Sequence, residues 1–172
     1  LGQGVLSFYT LQPELYRNGR MKVYIKSSPQ HGRGVFARQR IAAGEAILLF
    51  GGPHRRRAEL QPDEYHLQIG DDLYLGASGE ADDYVNHSCE PNAGFRDGLL
   101  LVARRDIDVD EEITWDYSTA IDEADFAGFA CGCGAAGCRG RVQSFRHLDA
   151  VTQQQLAPWL LPYLRVKYAL RG

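Results

Sequence analysis

Three of the four cysteines stand in one short run, Cys131-Gly-Cys133-Gly-Ala-Ala-Gly-Cys138, and the fourth is Cys89. Thiols one residue apart make poor disulfide partners: an extended backbone turns alternate side chains the same way, whereas a disulfide demands a specific Cβ separation. A metal suits them better. Tetrahedral zinc takes four thiolates, and glycines let a backbone wrap closely around one ion, so Cys131, Cys133 and Cys138 want a fourth ligand that only Cys89 can supply as a thiol. The other readings are unrelated reduced thiols or a disulfide pairing. Three further blocks carry residues able to do chemistry: His31-Gly-Arg-Gly-Val-Phe-Ala37, Tyr84-Val-Asn-His-Ser-Cys-Glu-Pro-Asn92 and Asp110-Glu-Glu-Ile-Thr-Trp-Asp-Tyr117. Taken singly they are ordinary. Gly32 and Gly34 could serve a tight turn, His87 a satisfied core position and Tyr117 the core face of a strand.

Taken together and in this order, the four blocks resemble the SET-domain protein lysine methyltransferases that carry a post-SET zinc segment. The resemblance runs from about Lys22 to Val142, and the Asn-His-Ser-Cys-x-Pro-Asn block is its most specific part. It implies a β-rich fold with short helices, in which the Asn-His-Ser-Cys and Asp-Tyr segments thread into a knot-like core. It implies S-adenosylmethionine as methyl donor and a lysine amine as acceptor. By position, Gly32, Arg33, Gly34, Tyr84, Asn86 and His87 would bind the cofactor. Tyr117 would be the catalytic tyrosine, Phe50 and Trp115 would line the substrate channel, and Cys89, Cys131, Cys133 and Cys138 would hold Zn2+.

Methyl transfer from a sulfonium to an amine is an in-line displacement, so positioning supplies most of the acceleration. The lysine must arrive neutral, and an apolar channel beside a sulfonium lowers its pKa from about 10.4 without a strong base. A tyrosine hydroxyl can then orient the amine and contact the polarised methyl group. Three positions depart from the family pattern. Phe50-Gly-Gly-Pro53 lacks the hydroxyl and carboxylate of a Tyr-x-Gly-Glu sequence, Asp83 replaces an arginine-like residue, and Trp115 replaces a Phe or Tyr that controls how many methyl groups fit. These departures leave open a zinc-stabilised binding module of weak or no activity.

The elements that must position these residues read as short strands at Met21–Lys26, Gly34–Ala37, Ala46–Phe50, Tyr65–Ile69, Leu73–Leu75, Ala93–Arg96, Leu99–Ala103 and Glu112–Trp115. Asp97-Gly98 is a hairpin signal, and the gaps are too short for crossover helices. Phe145–Leu156 and Trp159–Leu170, divided by Pro158, carry apolar residues at helical spacing. The expected division is a lead-in over 1–20, either native or an expression remnant because Met21 is the sole methionine, a catalytic domain over 21–125, a zinc segment over 126–142 and a helical tail over 143–172.

The 172 residues carry 44% apolar and 24% charged side chains with a net charge of −3. Such a composition excludes collagen-like and disordered chains and argues against direct nucleic-acid binding, since His54-Arg-Arg-Arg57 is too short a basic run. No apolar stretch approaches the ~18 residues of a membrane span, and no signal segment is visible, so an intracellular site and no membrane partner are expected. Between Asp106 and Asp125 stand nine acidic residues and no Lys or Arg. This stretch is either a solvated face or an attractor for the expected partner, a basic lysine-containing protein or peptide of histone type. Oligomeric state has no signal in the sequence.

Overall fold

The fold is known from a computed structural model that describes residues 15–17, 20–61 and 65–168. The strands are β1 (Tyr16–Arg17), β2 (Arg20–Met21), β3 (Val23–Ser27), β4 (Arg33–Ala37), β5 (Ala46–Leu49), β6 (His54–Arg55), β7 (His66–Gly70) and β8 (Leu73–Gly76). They continue as β9 (Asn86–His87), β10 (Ala93–Arg96), β11 (Leu100–Ala103), β12 (Glu112–Trp115), β13 (Phe129–Ala130) and β14 (Arg141–Val142), followed by helices α1 (Ala150–Leu156) and α2 (Pro162–Tyr168). This is the β-rich architecture with short helices that the sequence implies. Most of the lead-in over 1–20 and the end of the tail lie outside the described residues.

The sheet that matters for function has the order β3-β4-β12-β9. Strand β12 pairs antiparallel with β4, Ile113 opposite Val35, and parallel with β9, setting Thr114 opposite Asn86 and Trp115 opposite His87. One strand thereby brings the Gly-x-Gly, Asn-His and Asp-Tyr blocks side by side. Asn92 zips the same region shut: its amide donates to the Glu112 carbonyl at 2.8 Å, and its Oδ1 accepts from the Thr114 N–H at 2.9 Å. A buried asparagine with both ends paired can stay in the core without a desolvation penalty. Two three-stranded sheets flank this one, β10-β11-β5 and β6-β8-β7. Between them lies a core of Val35, Ile47, Leu48, Phe95, Leu101, Ile107 and Ile113, all fully buried.

The tail holds the two short helices expected, but each begins later than its apolar period suggests. Phe145–His147 is only a short turn, and α1 begins after Asp149, whose carboxylate accepts the Thr152 N–H at 3.0 Å as an N-cap. A capping aspartate fixes a helix start, so the apolar period from Phe145 onward is broken there. Trp159 likewise sits in a turn with Pro158, and α2 starts at Pro162, which occupies the first helical position where its missing N–H costs nothing. Phe145, Leu156, Leu160 and Leu164 form their own cluster. Leu161 joins the main core, and its N–H donates to the Thr119 carbonyl at 3.1 Å, so the tail packs directly against the segment after Tyr117.

Among the described residues no helix is long and apolar enough to cross a membrane.

Candidate active site and metal centre

Strand β12 ends at Trp115, and Asp116 then caps the turn Tyr117–Thr119 by accepting the Ser118 N–H at 3.1 Å. The cap turns the chain sharply and swings Tyr117 toward β9. Its hydroxyl donates to the Val85 carbonyl at 3.0 Å. Burial, and secondarily Glu112, hold the Tyr117 phenol well above its ordinary pKa, so it stays protonated and is no base at neutral pH. Its oxygen keeps lone pairs for a substrate amine.

Behind Tyr117 stands an aromatic wall. Trp115 lies 4.8 Å from Tyr117 and 4.8 Å from Phe95, centroid to centroid, and Phe50 packs edge-on at 5.0 Å from Phe95 and 6.0 Å from Trp115. Phe50 and Trp115 are almost completely buried, and the Trp115 indole N–H has no hydrogen-bond partner. The loop after Phe50 is fixed by the buried Asp82, which accepts the Gly51 N–H at 3.0 Å. Asp83 does a similar task elsewhere, accepting the Ser78 and Gly79 N–H groups at 3.0 and 2.7 Å. The unusual acid thus serves its own loop.

On the other side of β12, Gly32 adopts φ +54° in the turn before β4, a conformation that favours glycine. A Cβ at Gly34 would collide with the Glu112 carboxylate, which itself accepts from the Asn86 amide at 2.7 Å. Asn86 also donates to the Arg33 carbonyl at 3.0 Å, binding the Gly-x-Gly turn to the Asn-His strand. The Arg33 guanidinium stacks over the Tyr84 ring at 4.2 Å. All six residues expected to meet the cofactor are therefore gathered around one corner of the β4-β12-β9 sheet. Tyr65, just before β7, lies near enough to Tyr117 for the two phenols to influence each other's ionisation. Burial, and then the proximity of Tyr117, Asp82 and Asp83, push its phenol well above the usual value. It stands beside the site unannounced by any motif; an aromatic just before a short alternating strand was its only signal.

The four cysteines meet as expected. Their Sγ atoms all lie within 4.8 Å of one another, with Cys89 and Cys131 at 3.7 Å. Thiolates about 2.3 Å from a central tetrahedral zinc stand about 3.8 Å apart, which the Cys89–Cys131 spacing matches. None of the four is in a disulfide, and the Arg139 and Gly140 N–H groups point at Cys89 and Cys138 at 3.4 Å. Burial resists ionisation of Cys133, but the N–H groups of Cys89 and Ala135 together with the Cys131 and Cys138 thiols outweigh it and bring that thiol down to about 6. β13 and β14 clasp the segment, with Phe129 opposite Val142.

Arg139 ties this segment to the tyrosine: its Nη2 donates to the Asp116 carboxylate at 2.9 Å. His87 makes a second tie. Its Nδ1 accepts the Tyr117 N–H at 3.1 Å while Nε2 lies 3.4 Å from Cys89 Sγ. Burial first, then Arg139 and His31, lower the imidazole to about 3, so it is neutral with its proton on Nε2.

The acidic stretch does not form one strip. Asp106 holds Arg40, Glu111 holds Arg105, and Asp125 and Glu123 hold Arg57. Asp116 and Asp122 are buried against Arg139 and Arg146. Most of those carboxylates are spent within the fold.

A SET domain profile matches residues 32–118. Among curated relatives, Histone-lysine N-methyltransferase 2B of Homo sapiens is 31% identical over 144 residues, covering 73% of this chain and 5% of that protein. The H3 lysine-4 specific histone-lysine N-methyltransferase of Saccharomyces cerevisiae is 30% identical over 144 residues, covering 72% of this chain and 13% of that protein. The chain spans only 2% to 14% of the length of the curated relatives it matches. Among solved structures, KRYPTONITE in complex with mCHH DNA, H3(1-15) peptide and SAH matches at 28% identity and TM-score 0.58, covering 72% of this chain and 30% of that one. The methyltransferase domain of human SETMAR shares the fold at 21% identity and TM-score 0.55, over 71% of this chain and 58% of that one.

Proposed function

Because this chain belongs to the SET domain family, we propose that it transfers methyl groups from S-adenosylmethionine to lysine side chains of a basic protein or peptide. The observation that carries the reading is β12, which gathers Gly32–Gly34, Asn86–His87 and Tyr117 around one buried aromatic wall. Relatives named as histone-lysine methyltransferases support a histone-type substrate, as does the H3 peptide in the KRYPTONITE structure.

When bound, S-adenosylmethionine supplies an electrophilic methyl group on a sulfonium. The turn at Gly32–Gly34 and the Asn86–His87 strand bind and orient it, with Arg33 and Tyr84 as the flat platform beside them. The wall of Phe50, Phe95 and Trp115 excludes water and favours the neutral amine of an incoming lysine. Tyr117, kept protonated and anchored on the Val85 carbonyl, presents its oxygen to the amine and to the methyl hydrogens. The lysine proton leaves to solvent before transfer, so no side chain must act as a strong base. Zinc on Cys89, Cys131, Cys133 and Cys138 would be structural, since four protein ligands leave no open position.

The working division keeps a catalytic domain over 21–125, a zinc segment over 126–142 and a tail over 143–172. Four free thiols suited to zinc favour a reducing, intracellular compartment. Incubating the zinc-loaded chain with S-adenosylmethionine and a library of lysine peptides, read by mass spectrometry, tests the reading. Methylated lysines are expected. Cofactor binding with no methylated product would favour a binding module instead.

A further inference from the structure

Beside the zinc segment lies a cleft of about 520 Å³, lined by Cys89, Glu90, Arg104, Arg105, Arg139 and Gln155 among others. Three arginines line it from two segments: Arg104 and Arg105 from the bend after β11, and Arg139 from the zinc segment. The cleft's own lining sets one carboxylate, Glu90, beside them. Two of the three are already answered in part. Arg105 pairs with Glu111 at 2.5 Å, and Arg139 gives Nη2 to Asp116, yet the Nε of Arg139 is buried with no partner.

Arg104 is the unanswered one. It has no ion-pair partner among the described residues, and its guanidinium lies over the Trp159 ring at 4.9 Å. Burial lowers its pKa, so the fold holds a cation where its charge is poorly solvated. Asp116 offsets this charge only through space and makes no ion pair with it, so an arriving anion that pairs with Arg104 directly would relieve the remaining cost. The cleft's acid, Glu90, is directed elsewhere and accepts the Gly137 N–H at 3.1 Å.

We propose that this cleft binds a phosphoryl group presented on a peptide. Planar guanidinium forks meet the several oxygens of a phosphoryl group with paired, charge-assisted hydrogen bonds, and Gln155 adds an amide donor at the rim. A nucleotide is a poorer occupant because no aromatic face is left to stack a base. One face of Trp159 carries Arg104, and the ring also lies so close to Gly94 that a Cβ there would stand 2.6 Å from Cε3. A polynucleotide would need a longer basic track than these three residues provide.

The test titrates the full zinc-loaded chain, in a phosphate-free buffer, with a phosphoserine peptide, its unphosphorylated twin, inorganic phosphate and a short DNA duplex, following heat or tryptophan fluorescence. Saturable binding of the phosphoserine peptide is expected, at least tenfold tighter than its twin; comparable binding of inorganic phosphate would keep the phosphoryl site but assign it to a free ion. Arg104→Gln should weaken binding tenfold or more. In case that variant loses its packing on Trp159, Gln155→Glu, on the exposed face of α1, places a carboxylate in the cleft without touching the core and should abolish binding with the circular dichroism unchanged. No saturable binding of either phosphate form, preference for DNA, or affinities unmoved by Gln155→Glu would overturn the proposal.

Discussion

His87 accepts the Tyr117 backbone N–H at Nδ1, 3.1 Å away, and with its other nitrogen faces Cys89 Sγ at 3.4 Å. One neutral imidazole therefore spans the distance between the candidate catalytic tyrosine and the candidate zinc cage. Arg139, next to Cys138 in sequence, braces the same turn through Asp116. The zinc segment is thus coupled to the position of Tyr117 by two independent hydrogen-bonded struts. Removing the first should leave the fold intact but loosen both ends. His87→Ala is expected to lower zinc affinity or methyl transfer by about 10- to 100-fold, as other groups that orient metal ligands do. A zinc competition assay beside turnover measurements checks it; wild-type values in both would show that the strut carries nothing.

The chain should bind one zinc ion. Metal analysis of protein purified without chelator is expected to give one equivalent, falling toward zero in Cys133→Ser, because three thiolates do not close the tetrahedron. Chelation should expose residues 127–142 to proteases first. Apart from the metal, that segment is held by the two-residue pairing of β13 with β14 and a few side-chain hydrogen bonds, among them Arg139 to Asp116 and Gly137 N–H to Glu90.

Trp115 should limit the product. Its indole fills the wall beside Tyr117 and leaves its N–H unpaired, so Trp115→Phe removes an orphaned donor while opening space. These effects oppose each other, and stability should change by less than about 1.5 kcal/mol. Wild type is expected to stop at mono- or dimethyl-lysine and the variant to go further, since room for one extra methyl is worth about 1–3 kcal/mol. Mass spectra of exhaustive reactions that show mainly trimethyl product from wild type would refute the steric account.

Asp122 should anchor the tail in a pH-dependent way. Its buried carboxylate accepts from Arg146 at 3.0 Å and Tyr168 at 2.7 Å and pairs with Lys167 at 3.0 Å. Although burial opposes ionisation, these partners together hold its pKa below the ordinary value. A carboxyl depressed on folding contributes stability above its unfolded pKa of about 4 and loses it as pH falls through the folded value. Asp122→Asn should therefore cost about 2–4 kcal/mol at neutral pH, discounted because Arg146 and Lys167 are partly exposed, and progressively less below pH ~4. Urea melts of both proteins across that range measure the difference.

The zinc cage was legible in the sequence because ligand arithmetic is local chemistry: four thiols, three of them tightly spaced, leave few alternatives. The strands around the site were legible too, since alternation at Val23–Ile25 and the Asp97-Gly98 turn are short-range signals. Tyr65 was not. Its nearness to Tyr117 joins segments about fifty residues apart, and no local pattern encodes a long-range meeting. Strand β6 has no signal in the sequence, because two residues are too few to show a period. The helix starts were misplaced for a related reason: Phe145 and Trp159 are apolar at helical spacing, yet the Asp149 cap and the proline at Pro162 decide where backbone hydrogen bonding begins. The acidic run shows the same limit, for charge counting cannot see that Asp116 and Asp122 are buried against arginines.

The central claim is that Tyr117 stands where a methyl group passes from S-adenosylmethionine to lysine. Its most direct test compares wild type with Tyr117→Phe, measuring transfer of a labelled methyl group to a histone-type lysine peptide and, by calorimetry, binding of S-adenosylhomocysteine. The account predicts label on the lysine ε-nitrogen with wild type, a loss of about 100-fold or more with the variant, and unchanged affinity for S-adenosylhomocysteine. Undiminished transfer by Tyr117→Phe, or no transfer by the zinc-loaded wild type, would contradict it.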